Sequence, residues 1–267
     1  MVKRVACDER TRPQISVVMA TFNGEKYIKE QIESILCQTV KPDEIVICDD
    51  CSNDKTLQIV KDILDKSSIA HRYIQHETNK GVLSSFYDAL KKVTGDIIFF
   101  SDQDDVWKSD KIEKIYPQFT EKNVNLVLCN ADIVDWNLRF LGKTLWQVIK
   151  FTPTKLKDGI VYITGIEELL KRNYATGMCM AIRKSLLENL DMLSPYMLHD
   201  EYFAWKALCY GHIVAINSSY VLYRQHNNNV IGVKGIKKEK NKDMIIEQII
   251  KSSEKTYKKL VELNTWD

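Results

Sequence analysis

Apolar runs and amphipathic stretches alternate along the first hundred residues. Ile15 to Thr21 is rich in β-branched residues and stops at the turn signal Phe22-Asn23-Gly24, so it reads as a strand. Ile28, Ile32, Ile35 and Leu36 then recur on one face of a helix, which Pro42-Asp43 ends. Glu44 to Cys48 is a second short strand. The polar turn Asp49 to Asp54 opens a helix with the apolar face Leu57, Val60, Ile63 and Leu64. A third strand, His71 to His76, leads through Asn79-Lys80-Gly81 into a helix carrying Phe86, Leu90 and Val93. After Thr94-Gly95, Ile97 to Phe100 presents four large apolar residues in a row, the mark of a strand buried on both faces. Strands and helices alternating every 10–15 residues or so predict an α/β fold with a doubly wound, mostly parallel sheet.

Beyond Pro117 the pattern loosens. Leu126 to Cys129 reads as a strand, Asp135-Trp136-Asn137 as a hairpin turn, and Gly142 to Gly165 as a long segment of weak periodicity, the kind that often serves as a functional loop. Tyr174 to Ala181 is predicted to be a strand entered through Gly177. His199 to Trp205 starts a helix with acids in its first turn, as the helix dipole favours. Ile213 to Ile216 and Tyr220 to Tyr223 are two short strands, the second running into Arg224-Gln225-His226. From Lys234 the chain becomes lysine-rich, with apolar residues at helical spacing from about Gly235 to Leu263, predicting an amphipathic helix that docks on the domain, a second subunit or an anionic membrane.

A chain of 267 residues has room for one large α/β domain or two small ones. Its net charge of +2 supplies no basic field for nucleic acid. No apolar run approaches the roughly 18 residues of a membrane span, and the first ten residues hold no signal-peptide core. The seven cysteines are scattered and odd in number, as expected of reduced thiols in a cytoplasmic protein. Cys48 and Cys51 have redox spacing, but the Asp pair between them opposes thiolate formation.

The polar residues fall in a telling place. Thr21-Phe22-Asn23, Asp49-Asp50, Asn79-Lys80 and Ser101 to Asp105 all lie just past the carboxyl ends of expected strands, the edge where open α/β sheets bind ligands. Asp102, Asp104 and Asp105 crowd three carboxylates into four positions, a cost that falls if Mg²⁺ or Mn²⁺ sits among them. Such a cation calls for an anionic substrate such as a diphosphate. The competing reading is an Asp-rich turn capping the helix that starts near Ser109. No Gly-x-Gly-x-x-Gly and no P-loop is present to cradle phosphates instead.

Six pieces together resemble the family 2 glycosyltransferases, which have the GT-A fold, and within them bacterial rhamnosyltransferase-like members that build cell-surface polysaccharides. They are Val17 to Asn23, Ile47 to Thr56, Asn79 to Gly81, Ser101 to Trp107, His199-Asp200 with Trp205, and Tyr223 to Gly232. They occur in the family's order over residues 14 to 232. The resemblance implies a glycosyltransferase domain over 1–233, divided into a Rossmann-like nucleotide-sugar-binding half at 14–107 and a mixed acceptor half at 108–233, with 234–267 as the helical tail.

It also implies roles. Thr21, Phe22, Asn23, Glu25, Asp49, Asp50, Lys80, Asp102, Gln103 and Arg224 would bind a UDP- or dTDP-sugar, with Asp49-Asp50 on base and ribose and Arg224 reaching the phosphates. Asp104, with Asp102 and His226, would hold the metal. Asp200, with Glu201 as its rival, would be the base in a single inverting displacement onto a saccharide or lipid-linked acceptor. Two departures stand out: Cys51 occupies a usual glycine position, and Glu201 a usual aromatic one. The alternatives are a non-catalytic nucleotide- or sugar-binding protein on the same fold, and a sugar nucleotidyltransferase, whose Gly-rich amino-terminal loop is missing here.

Overall fold

The computed structural model describes residues 12–151, 160–163, 169, 173–188, 190 and 198–226. The expected tail helix lies outside them. Within them, the first half follows the alternation of the sequence: β1 (Ile15–Thr21), α1 (Ile28–Leu36), β2 (Glu44–Asp49), α2 (Thr56–Leu64), β3 (Ala70–Gln75), α3 (Val82–Leu90) and β4 (Ile97–Ser101). β2 and β4 are buried at every position because helices cover both faces of the sheet, whereas β3 sits at an edge and is partly exposed throughout. The helices turn narrow stripes inward: Ile28, Ile32 and Ile35 on α1, Val60 and Leu64 on α2, Phe86, Ala89 and Leu90 on α3.

β5 (Val106–Trp107) and α4 (Lys111–Ile115) follow β4, and then β6 (Val124–Val134), β7 (Phe140–Thr144), α5 (Leu145–Val148), β8 (Ile160–Ile163), β9 (Met180–Arg183), α6 (His199–Tyr210) and β10 (His212–Arg224). The sheet order is β3-β2-β1-β4-β9-β6-β10-β5, with β7 against β6 and β8 against β10. β1 to β4 are mutually parallel, as are β6 and β10, but β9 runs antiparallel to both its neighbours, and β5, β7 and β8 also pair antiparallel. A mostly parallel sheet therefore describes the amino-terminal half alone. Strand order reverses at β1, between β2 and β4, which opens a crevice at the carboxyl ends of β1 and β4.

Three expectations are corrected. The two short strands after Gly211 are one 13-residue strand, β10, whose register slips between Ile216 and Val221; the exposed Asn217 and Ser218 interrupt the apolar pattern without ending the pairing. The strand expected from Tyr174 begins only at Met180, because Gly177–Cys179 forms a tight 3-10 turn. A Cβ on Gly177 would lie 2.5 Å from His199 Nε2, so a side chain there is excluded. The weakly periodic Gly142 to Gly165 segment holds α5, closed by a Thr144–Gln147 capping box, and β8.

At the far edge of the sheet, Glu44 is buried yet accepts from Ser16 Oγ and from the backbone of Thr94 and Gly95. Burial pushes its carboxyl up, but these donors outweigh that and hold it below the usual range. A cavity of about 490 Å³ lies at this edge, between Gln14, Glu44, His71 and Gly95, on the opposite side of the sheet from the Asp-rich loop.

Cys51 has φ of 65°, the left-handed region, which explains why glycine is usual there. Cys51→Gly removes a cost of about 1–2 kcal/mol in the folded state and gives back about 0.5–1 kcal/mol in chain entropy. A small gain in stability, from about zero to about 1.5 kcal/mol, is expected in urea denaturation.

Candidate active site

Three loops at the carboxyl ends of β1, β2 and β4 are tied to one another by side chain–backbone bonds. Asn23, with φ of 48°, donates its N–H to Ser52 Oγ at 2.9 Å, and Asn53 N–H returns a bond to Asn23 Oδ1 at 2.9 Å. Glu25 N–H reaches Asp54 at 3.1 Å while Glu25 Oε2 accepts from Lys55 N–H at 3.0 Å. Gln103 spans the crevice: its Oε1 accepts from Phe22 N–H and its Nε2 donates to the Phe22 carbonyl, both at 2.9 Å. Gly24 leaves room for that amide, since a Cβ would fall 2.3 Å from Gln103 Oε1. Gln103 thus acts on the crevice through the Phe22 backbone, and the Phe22 ring remains 41% exposed.

The Asp pair divides. Asp49 is sealed at 0% exposure, accepting from Thr21 Oγ1, Ser52 N and Ser52 Oγ at 2.6–2.9 Å. These bonds tie the β1 and β2 loops together. Asp50 accepts from Lys80 N–H, Gly81 N–H and His76 Nδ1, drawing in the loop before α3. Burial pushes its carboxyl up, but these partners prevail and hold it below the usual range. Among the described residues three donors meet its four lone-pair sites, two on Oδ1 and one on Oδ2. The Lys80 side chain is exposed at the same mouth.

The Asp-rich loop is held from two sides. From α1, Gln31 Nε2 donates to Ser101 Oγ at 2.6 Å and Ser34 Oγ accepts from Trp107 N–H at 3.0 Å, and from the turn after α1 Gln38 bonds Lys108 and Ile112. From β10 comes Arg224, only 2% exposed: its N–H meets Asp105 Oδ1 at 3.0 Å, Nε the Asp104 carbonyl at 2.8 Å, Nη1 the Trp136 carbonyl at 2.9 Å, and Nη2 the Glu30 carboxylate. The guanidinium also lies 4.6 Å over the Tyr27 ring. Every guanidinium nitrogen of Arg224 is thus engaged inside the protein, where it holds the loop.

Two residues on, His226 Nε2 faces Asp104 Oδ2 at 2.8 Å, and its ring stacks on Tyr27 at 4.7 Å. Asp102 is half-buried; burial, together with the charges of Asp104 and Asp200, pushes its carboxyl up to about 7. Asp105 is fully buried, and burial, with the charges of Asp104 and Asp102, pushes its carboxyl well above the usual range. Beneath them Lys111, at 0% exposure, donates to the Met178 carbonyl at 2.7 Å and sits 3.6 Å over Trp107. Among the described residues no three His, Cys, Asp or Glu side chains group into a metal cage. Asp104 and His226 nonetheless offer one carboxylate and one imidazole, a donor set that suits a cation sharing its shell with substrate phosphates.

Asp200 closes the site from α6. His199 packs its ring against Phe86 and Phe100, at 4.2 and 5.4 Å, and burial holds it down to about 3, so it stays neutral. That anchor fixes the first turn of α6. Asp200 is 8% exposed, and burial pushes it up to about 6 despite the N–H bond from Glu201. Glu201 is less buried and is raised as well, by burial.

A model of glycosyl transferase family 2 matches residues 16–191. The chain belongs to that family. Family 2 relatives include the dTDP-rhamnosyl transferase RfbG of Shigella flexneri, 31% identical over 224 residues that cover 80% of this chain and 73% of RfbG. Another is the UDP-Glc:alpha-D-GlcNAc-diphosphoundecaprenol beta-1,3-glucosyltransferase WfgD of Escherichia coli, 27% identical over 208 residues, 78% of this chain and 74% of WfgD. TarS residues 1–349 of S. aureus, solved with UDP-GlcNAc, superimposes with a TM-score of 0.63 at 25% identity over 81% of this chain, and this family 2 chain spans 60% of that one. The sheet is accordingly GT-A-like.

Tyr27 and Glu30 were not singled out from the sequence. Glu30 lies on the exposed side of α1 and meets Arg224 across 194 positions, a pairing no local pattern announces. Arg224→Lys keeps the charge but loses the planar fork, and should destabilise the domain by about 2–4 kcal/mol in urea melts. Glu30→Gln, whose partner keeps its two carbonyls, should cost under about 1 kcal/mol.

Proposed function

We propose that this family 2 member is a metal-dependent, inverting glycosyltransferase that moves a sugar from a UDP- or dTDP-linked donor onto a saccharide or lipid-linked acceptor in cell-surface polysaccharide synthesis. The observation that carries the proposal is the convergence of Asp104, His226, Asp102 and Asp200, brought from three separate segments to the carboxyl edge of β4. The donor names of RfbG and WfgD support a pyrimidine nucleotide, with rhamnose or a hexose as the sugar.

In this reading the base lies in the crevice past β1, against the exposed Phe22 ring and Asn23. Asp50 Oδ2 accepts from the imide N–H, which uracil and thymine share. Lys80 faces the ribose and diphosphate. Asp104 and His226 would hold Mg²⁺ or Mn²⁺, with Asp102 toward the ribose or the outer shell, and the bound ion would supply charge neutralisation for the departing diphosphate. Asp200 takes the acceptor hydroxyl proton as that oxygen bonds to the anomeric carbon and the carbon–phosphate oxygen bond breaks on the opposite face, which inverts the anomeric centre.

Calorimetry with UDP and dTDP, with and without Mn²⁺, tests the metal site. Asp104→Ala should weaken nucleotide binding chiefly when metal is present and abolish transfer, whereas full turnover in chelator would exclude the site. Purine diphosphates binding more tightly than UDP and dTDP would exclude the base assignment.

The base assignment predicts a pH profile. A carboxyl raised to about 6 is ionised only above that pH, so kcat/KM should fall about tenfold per unit below it. Asp200→Asn should keep donor binding, lose about 10²–10⁴-fold in rate and lose this acid limb. Glu201→Gln should be milder and keep the limb; the reverse ranking would give the role to Glu201.

A further inference from the structure

The hairpin joining β6 and β7 is exposed in a way the donor site does not use. Its turn is firm: Asp135 Oδ1 accepts from the N–H groups of Asn137 and Arg139, and Leu138 takes φ of 63°. Beyond the turn, Val134 pairs with Phe140 and Asp132 with Thr144, so Leu141, Gly142 and Lys143 stand opposite Ile133 alone. The surplus bulges out through Gly142, at φ of 79°. Trp136, Phe140 and Leu141 are in consequence 58, 57 and 52% exposed. Arg139 and Lys143 are exposed beside them, and Lys26 lies 5.9 Å over the Trp136 ring.

We propose that this hairpin docks on an anionic lipid surface, with the three apolar side chains in the headgroup–acyl boundary and Arg139, Lys143 and Lys26 on the headgroup phosphates. Two observations select that occupant. An isologous contact between two copies would set the basic side chains of one hairpin against those of the other, whereas an anionic membrane complements them. The hairpin also adjoins the site: the Trp136 carbonyl accepts from Arg224, Lys26 lies 5.0 Å over Tyr27, and Tyr27 stacks on His226. A membrane under the hairpin places the Asp104–His226 end beside the headgroups, where a lipid-linked acceptor carries its sugar. The inference rests on the lipid-linked branch of the proposed function, while vesicle binding is measured without reference to it.

The test is sedimentation of the full chain with vesicles of phosphatidylcholine alone or with phosphatidylglycerol. Binding is expected to the anionic vesicles and to weaken with salt. A W136S/F140S/L141S variant, and separately an R139E/K143E variant, should each lose at least about tenfold in partition coefficient. Unchanged UDP affinity and circular dichroism show that both variants remain folded. Variants that sediment like the parent overturn the inference, as does a parent chain that ignores anionic vesicles. An apolar variant that converts a dimer to a monomer in light scattering, with no vesicle binding by the parent, assigns the patch to a second copy. Failure of donor binding or transfer in the parent would count against the proposed function, a separate result.

Discussion

A guanidinium buried at 2% exposure is the point from which the catalytic edge is suspended. Desolvating a permanent cation is costly unless its donors are met, and Arg224 meets a carboxylate and two carbonyls from three different segments. Because one of those carbonyls belongs to Asp104, the residue that answers the guanidinium is also the one that presents the candidate metal ligand. Stability and geometry are therefore coupled at this position. The loop cannot relax away from the productive arrangement without stranding a buried charge.

The donor side is built on another economy. Asp49 and Asp50 commit most of their accepting capacity to hydroxyl, imidazole and backbone donors of adjacent loops, and Gln103 bridges β4 to the loop after β1. Polar groups that resemble ligand contacts in the sequence thus act largely as struts. The crevice gains a fixed shape, with the Phe22 ring, Asn23 and Lys80 left exposed along it. Such a preformed cleft loses little conformational entropy on binding.

The first half of the fold was legible because each strand is buried by helices whose apolar faces repeat at helical spacing, so Ile15 to Ser101 carries its own punctuation. The second half was not, because its strands meet partners distant in sequence: β10 continues through exposed Asn217 and Ser218 only because β6 lies beside it, and β9 is short because Gly177 must yield space to His199. The site was legible as a set of residues but less so as a set of roles. Position at a strand end pointed to Asp104, while the family resemblance supplied Asp200 and His226. Neither could tell that Arg224 faces inward, that Asp49 is sealed, or that Tyr27 and Glu30 reach across from α1, since each depends on a contact between segments.

The span of these contacts bears on how the molecule is made. His226 meets Asp104 across 122 positions and Arg224 meets Glu30 across 194, whereas the loops after β1 and β2 are stitched over about 30. Closing a long loop costs entropy before any contact repays it, so distant pairs form late. A chain leaving the ribosome can thus assemble the crevice past β1 before β10 exists. The Asp104–His226 pair must wait for the last described residue, so the candidate site closes only after both halves of the sheet are in place.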